Sequence, residues 1–301
     1  MKIGYFCNST NWGNKKSYSQ ILEEIRDIST YCDQNDWDSI WFSEHHFSHE
    51  GMEVCPNPIL LSSDIAARTK NIRIGQAASI ITFWNPIRAA EDIALLDQLS
   101  NGRVEAGVGR GIYGREALNM NADADMKDQA KNFRLFEETL DIIKKAWTKK
   151  FFNHEGEFYT YPAPNFEWEH DMSPPSSDFM NLETKILEKI SIVPQPMQKP
   201  HPPVIVGGGV PYGARRALAY GNGWVPNATR PGYRLLDRMD EYREMEKAAG
   251  RKVPISAFGV EHDPKSWSAY ENVGIDRIIL SVSSEPADTI LPILDRWAAT
   301  L

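Results

Sequence analysis

Eight short apolar stretches recur along the chain, and a segment with helical patterning follows each of them. Because these stretches are apolar throughout rather than alternating, they are typical of parallel strands that are covered on both faces. Eight consecutive strand–helix units predict an α/β fold, a (β/α)8 TIM barrel that forms one domain over residues 1–301. An open, doubly wound sheet is the alternative, and the number of units disfavours it. The predicted strands are residues 2–7, 39–42, 72–81, 103–109, 204–206, 224–225, 254–260 and 277–282.

Capping residues and prolines mark where the helices begin. Asn57-Pro58, Asn85-Pro86 and Asp263-Pro264 each place a capping side chain before a proline at the first helical position. Ser17 and Gln20 have the spacing of a capping box. Further helices are predicted over residues 214–220, 231–249 and 286–299, and the polar segment 114–128 is predicted to be flexible ahead of a long helix.

The alternation of predicted strands and helices is interrupted between residues 151 and 203, where nine prolines occur. One helical candidate lies in this stretch, near residues 179–190. The stretch is too long for an ordinary connection, so it is predicted to be an insertion or a lid.

Charge and composition disfavour several classes of partner. The chain has 41 acidic and 33 basic residues, for a formal charge of −8, so nucleic acid and anionic membranes are not expected to bind it. The sequence contains no apolar run near the ~20 residues that a membrane span requires, and its first residues run directly into a strand, so a cytoplasmic protein is expected. Three cysteines without CxxC spacing suit reduced thiols.

Glu44, His45 and His46 directly follow the second predicted strand. Burying three ionisable side chains together is costly unless they bond to one another or to a ligand, so they indicate a catalytic or cofactor site. A structural, hydrogen-bonded histidine pair is the alternative interpretation. On an extended backbone Glu44 and His46 share one side and His45 faces the other, which makes His45 the candidate acid–base group.

Two further segments fall at the carboxyl ends of predicted strands, which share one face in a barrel. The glycine turn at Gly207, Gly208 and Gly209 lies between a predicted strand and a predicted helix. This arrangement indicates a phosphate-binding site, although glycines needed only for tight packing of the turn would give the same sequence pattern. Arg110 could supply a charged contact to that phosphate. The GxGxxG pattern from Gly109 to Gly114 is weak as a dinucleotide fingerprint, because no helix is predicted directly after it.

Several motifs, in this order, resemble the bacterial luciferase-like flavin monooxygenases over nearly the whole chain. They are residues 41–47 (WFSEHHF), 75–81 (GQAASII), 85–103 (NPIRAAEDIALLDQLSNGR), 107–113 (GVGRGIY), 193–196 (VPQP) and 201–208 (HPPVIVGG). The resemblance implies a TIM barrel that binds reduced FMN from a separate flavin reductase. It also implies that O2 then forms a flavin hydroperoxide, which oxidises a small organic substrate.

The same resemblance assigns roles to individual residues. It implies that His45 and His46 are catalytic, that Arg110 binds the flavin phosphate, and that Ala77-Ala78 form a non-prolyl cis peptide against the flavin ring. A homodimer is also implied, in agreement with the apolar Ile59, Leu60, Ile87 and Ile93 on two predicted helices.

Departures from the family leave the reaction class open. Gly109 stands where luciferases have a reactive cysteine, and Gly208-Gly209 where they have an acidic residue and a serine, so light emission from a long aldehyde is not implied. An F420-dependent hydride-transfer enzyme would use the same barrel and turn. A metal-dependent hydrolase would use Glu44, His45, His46 and His49 as ligands, and a non-catalytic flavin-binding protein would need only the cofactor site.

Overall fold

The computed structural model describes residues 1–168 and 174–299. Within these residues eight parallel strands pair in chain order, from β1 to β8. β8 returns to β1, with Arg277 opposite Lys2, and isolated parallel bridges join β6 to β7 at Trp224–Ile255 and Asn227–Phe258. The strands therefore form a nearly closed (β/α)8 TIM barrel, which confirms the predicted fold class and excludes the open sheet. The strands are β1 (Lys2–Phe6), β2 (Ser39–Phe42), β3 (Arg73–Gln76), β4 (Val104–Gly109), β5 (Val204–Gly207), β6 (Gly223–Val225), β7 (Ser256–Phe258) and β8 (Arg277–Leu280).

The predicted capping residues lie at the amino-terminal ends of their helices. The Asn57 side chain accepts hydrogen bonds from the amides of Ile59 and Leu60, and Ser17 forms the predicted capping box with Gln20. These contacts satisfy amides that have no partner inside a helix. The helices are α1 (Tyr18–Gln34), α2 (Pro58–Arg68), α3 (Pro86–Leu99), α4 (Gly114–Met120), α5 (Gln129–Thr148), α6 (Tyr212–Tyr220), α7 (Met239–Ala249), α8 (Pro264–Asn272) and α9 (Ala287–Ala298).

The chain divides into two compact units. The first comprises residues 1–79, 99–109 and 203–301, and it contains all eight barrel strands. The second comprises residues 80–98 and 110–202, and its long helix α5 is amphipathic, with Phe136, Ile143 and Trp147 buried. The prediction of one domain over residues 1–301 stays a prediction.

A layer of paired charges lies at the amino-terminal ends of the barrel strands. Glu105 on β4 accepts hydrogen bonds from both terminal nitrogens of Arg277, at 2.8 and 2.9 Å, and from Nε of Arg73 at 2.6 Å. Arg277 also lies 2.5 Å from Asp38. Burial by itself would raise the pKa of Glu105, but the two guanidinium groups outweigh it and hold that pKa below its ordinary value.

One predicted helix is absent, and another begins later than predicted. Residues 179–190 contain turns and bridges instead of a helix: Met180 bridges antiparallel to Leu187, and the Asn181 side chain accepts hydrogen bonds from two following amides. Such side-chain contacts compete with helical hydrogen bonds. The helix predicted over residues 231–249 begins only at Met239, as α7. Before it, Thr229–Arg230 and Tyr233–Arg234 pair as a hairpin, and Leu236–Arg238 form a short 3-10 helix.

Two other boundaries also differ from the predictions. The segment 114–128 is not simply flexible, since it contains α4 and a short 3-10 helix at Ala122–Ala124. The third predicted strand is interrupted after Gln76, and a short strand at Ser79–Ile80 follows. The predicted 151–203 insertion contains the short strands His154–Glu155 and Thr160–Tyr161, while its residues 169–173 lie outside the described ones.

The cysteines and the apolar character of the helices are the subject of two predictions from composition. Cys7, Cys32 and Cys55 are buried, reduced thiols, as predicted. Of the described helices, none combines the length and apolar character that crossing a membrane would require.

Candidate active site

The segment after β2 carries two carboxylate–imidazole pairs that face opposite ways. Nε2 of His46 lies 2.9 Å from Oε1 of Glu44, whereas Nε2 of His45 lies 3.3 Å from Oε2 of Glu53. The Ser43 hydroxyl also donates to Glu53. Ser43 and His45 therefore point one way, and Glu44 and His46 point the other, which confirms the predicted alternation. Sequence reasoning missed Glu53.

The backbone of the following loop places Glu53 beside His45. The His45 amide donates to the Cys55 carbonyl at 2.9 Å, and the Val54 amide donates to the Ser9 carbonyl at 3.3 Å. Gly51 makes the close approach possible: its φ is +87°, and an added Cβ would lie 1.9 Å from the Asn11 carbonyl oxygen. Only glycine adopts this backbone in that space at no steric cost.

The four residues of the predicted metal site do not converge. His45 faces Glu53, His46 faces Glu44, and His49 is largely exposed beside Glu50. Throughout residues 1–168 and 174–299, no three His, Cys, Asp or Glu side chains are grouped to hold a metal ion. The geometry therefore gives the metal-dependent hydrolase no support.

The peptide between Ala77 and Ala78 is cis, as the resemblance implied. It directly follows β3, and the Ala77 amide donates to the carbonyl of Phe42, the last residue of β2, at 2.7 Å. This hydrogen bond places the cis peptide next to the strand end from which Glu44, His45 and His46 follow.

The glycine turn between β5 and α6 brings backbone amides and a cation together. Gly208 has a φ of +108°, and an added Cβ on Gly213 would lie 2.1 Å from the Gly208 carbonyl oxygen, so both positions require glycine. α6 begins at Tyr212, two residues before the predicted start, and its N-cap residue, Pro211, makes no side-chain capping hydrogen bond. The Val210 amide donates to the Tyr233 hydroxyl at 3.3 Å, and the Gly213 amide donates to the Gly209 carbonyl at 2.7 Å. A terminal nitrogen of Arg216 donates to the Gly207 carbonyl at 3.4 Å.

Arg216 was not identified from the sequence. Arg215 and Arg216 are adjacent, and on a helix neighbouring side chains point in different directions. Once the start of α6 is known, the helical spacing identifies Arg216 as the arginine beside the turn. Arg216 lies one helical turn after the helix start, whereas Arg215 is exposed.

Arg110 belongs to the second unit, where its guanidinium contacts neutral groups. It donates to Oδ1 of Asn132 at 2.8 Å and to Oε1 of Gln129 at 2.9 Å, and it lies over the ring of Phe133. Among the described residues no carboxylate pairs with it, and its Nε is buried without a hydrogen-bond partner. Burial lowers the pKa of Arg110 from its ordinary value. A cation neutralised by no carboxylate is suited to an anionic ligand.

Comparison with known proteins supplies the remaining observation. The family model described as luciferase-like monooxygenase matches residues 1–262. The chain belongs to the luciferase-like monooxygenase family. Among its relatives in this family, the oxygenase component of a flavin-dependent trigonelline monooxygenase from Acinetobacter baylyi is 28% identical over 211 residues, which are 70% of this chain and 50% of that protein.

Other luciferase-like proteins are similar in sequence or in fold. The alkanal monooxygenase beta chain of Vibrio harveyi is 32% identical over 163 residues, which are 54% of this chain and 48% of that protein. The chain thus spans about half the length of these curated relatives. The crystal structure of the monooxygenase RslO1 from Streptomyces bottropensis superimposes with a TM-score of 0.78 at 20% identity, covering 100% of this chain and 98% of that one, which shows the shared fold.

Proposed function

We propose that this protein is a flavin-dependent monooxygenase that uses reduced FMN and O2 to oxidise a small organic substrate. The observation that carries the proposal is the pair of opposed carboxylate–imidazole contacts at the end of β2, in a member of the luciferase-like family. A bound reduced flavin would supply the electrons for O2 activation, with one oxygen atom entering the substrate and the other leaving as water.

The turn at Gly207, Gly208 and Gly209 suits the phosphate of FMN. The backbone passes close to Gly213, the N-cap residue of α6 makes no side-chain capping hydrogen bond, and Arg216 provides a positive charge beside the turn. The positive end of a helix and a guanidinium group together favour a dianion. Arg110 is proposed as a further cofactor ligand, because the described contacts of its guanidinium are to neutral groups.

His45 and His46 are proposed to have different tasks. Glu44 and His46 form a buried pair whose members satisfy one another, so this pair supports the wall of the site. His45 lies on the other side, beside Glu53, and its imidazole is suited to moving a proton at neutral pH, which oxidation of the substrate requires. Ala77 and Ala78 are proposed to contact the flavin ring.

A flavin reductase and a second copy of the chain are the proposed protein partners. The trigonelline enzyme is named as an oxygenase component, which supports a separate source of reduced flavin. Of the four apolar residues expected at the dimer interface, Ile59 and Ile93 are buried, Ile87 is half-buried, and Leu60 on α2 is 69% exposed. Leu60 therefore stays a candidate for burial by a partner.

The proposed function is tested by isotope transfer. The protein is mixed without O2 with photoreduced FMN and with trigonelline or decanal as the probe, and buffer containing ¹⁸O2 is then admitted. Mass spectrometry that finds one ¹⁸O atom in the product supports a monooxygenase. A protein that does not bind reduced FMN in an anaerobic titration contradicts the proposal.

A parallel anaerobic mixture, with reduced F420 in place of FMN, separates the rival reaction classes. Hydride transfer from F420 needs no O2, so turnover of reduced F420 in that mixture would identify that reaction class. Tight binding of FMN without oxidation of any probe would favour a non-catalytic flavin-binding protein.

A further inference from the structure

We propose that Glu53 is a positioning residue that fixes the tautomer of His45 and stabilises its protonated form. The proposal rests on the proposed function in assigning proton transfer to His45. The contact between the two side chains can be tested whether or not that function is correct.

The geometry of the loop makes this contact specific. The Glu53 carboxylate spans Ser43 and His45, which are two residues apart and project to the same side after β2. The Ser43 hydroxyl donates to one carboxylate oxygen, and His45 lies 3.3 Å from the other. Both Glu53 and His45 have side chains that are 15% exposed, so solvent screens their interaction only partly.

A carboxylate in this position determines which nitrogen of the ring is basic. An ionised carboxylate only accepts hydrogen bonds, so Nε2 of His45 carries the proton that faces Glu53. In the neutral ring the lone pair is then on Nδ1. Second partners of this kind orient a histidine and raise its basicity, because the carboxylate stabilises the imidazolium ion.

Three further ionisable side chains, Glu44, His46 and Cys55, neighbour this pair. Glu44 contacts His46, with Nε2 of His46 lying 2.9 Å from its Oε1. Burial, followed by the charges of Glu53 and Glu44, raises the pKa of the Cys55 thiol to about 12, so the thiol is neutral at physiological pH.

The experiment is an NMR titration of the imidazole rings in the full-length protein, with the His45 signals assigned by their loss in His45→Gln. In Glu53→Gln we expect the pKa of His45 to fall by about one pH unit, the usual effect of removing an opposite charge at this distance. The matched control is Glu50→Gln, which removes a carboxylate from the same loop that lies 3.7 Å from His49. That variant should leave the His45 titration unchanged.

A second measurement needs no variant at position 53. Above the pKa of His45, ¹⁵N chemical shifts of the wild-type protein should show the proton on Nε2. A proton on Nδ1, or an unchanged His45 titration in folded Glu53→Gln, overturns the proposal. Both readouts are independent of turnover, so an inactive wild-type protein would contradict the proposed function and leave the assignment of Glu53 intact.

Discussion

Nε2 of His46 lies 2.9 Å from Oε1 of Glu44, whose side chain is completely buried. Two residues on one side of an extended segment thus satisfy one another, and the intervening His45 is turned to the other side. The segment that carries the glutamate–dihistidine motif therefore presents one carboxylate–imidazole pair on each side, and the proposed acid–base role belongs to His45, beside Glu53.

For His45→Ala we expect a loss of about 100-fold in the oxidation rate, within the range for a lost general acid–base group. The affinity for reduced FMN should change little, because the turn at Gly207 and Arg216 is unaffected. Stopped-flow turnover with saturating reduced flavin measures the rate. His49→Ala is the matched control, since His49 is a largely exposed histidine of the same loop. Wild-type turnover in His45→Ala would reduce the motif to a structural pair.

Replacing Arg216 tests the phosphate turn. Arg216→Gln should weaken binding of reduced FMN by about tenfold, the value of one charged hydrogen bond. Arg215→Gln removes the same charge from the neighbouring, exposed position and should leave the affinity within about twofold of the wild-type value. Anaerobic fluorescence titration measures both, and equal affinities in the two variants would contradict a role for Arg216.

Arg110→Ala should weaken binding of reduced FMN by about 2 kcal/mol, or roughly 30-fold, because a partly buried cation is lost. Arg134→Ala is the control, since Arg134 pairs with Glu157 on the surface of the same unit. Calorimetry under anaerobic conditions measures the affinities. An unchanged affinity in Arg110→Ala would remove it from the cofactor site.

Glu105→Gln should lower the free energy of unfolding at pH 7 by about 3 kcal/mol, because Arg277 and Arg73 lose their shared buried carboxylate. The pKa of Glu105 is lowered in the folded protein, so its stabilisation is fully present above its ordinary pKa of about 4.3 and is lost as the pH falls through the folded value. Urea unfolding of both proteins should therefore converge in acid. The control is Glu244→Gln at an exposed site of α7, and a difference that is constant with pH would contradict this account.

Light scattering should give twice the 34.1 kDa mass of one chain at micromolar concentration. Leu60→Glu should shift the protein toward monomer, because a charge on an exposed apolar side chain opposes its burial. Leu118→Glu is the matched control on α4, where Leu118 is also exposed. A monomeric wild-type protein would contradict the dimer.

The sequence predicts the barrel well because its strands are mostly apolar, with charged residues such as Glu105 and Arg277 near their amino-terminal ends. β2 has the predicted bounds, and the Asn-Pro and Asp-Pro pairs begin their helices as expected. The predictions are wrong where local contacts override helical patterning. In residues 179–190 the Asn181 side chain binds following amides, and Gly232, with a φ of +73°, allows a hairpin ahead of α7.

The sequence predicts only part of the candidate site, because some of its contacts depend on how a loop folds. Glu44, His45 and His46 are adjacent to a strand end, so strand periodicity alone assigns their sides. Glu53 is eight positions from His45, and its contact depends on how the loop folds over Asn11 through Gly51. Spacing along the chain carries no signal for such a contact.

The paired charges at the amino-terminal end of the barrel have a further consequence. Asp38 immediately precedes β2 and is paired with Arg277, while Glu44 and the two histidines follow the same strand. Four extended residues separate the two sets by about 13 Å, and the carboxylates at the Asp38 end are paired with guanidinium groups that offset their field. We therefore expect substitutions at the two ends of this strand to act separately, on stability in acid at one end and on the proposed proton transfer by His45 at the other.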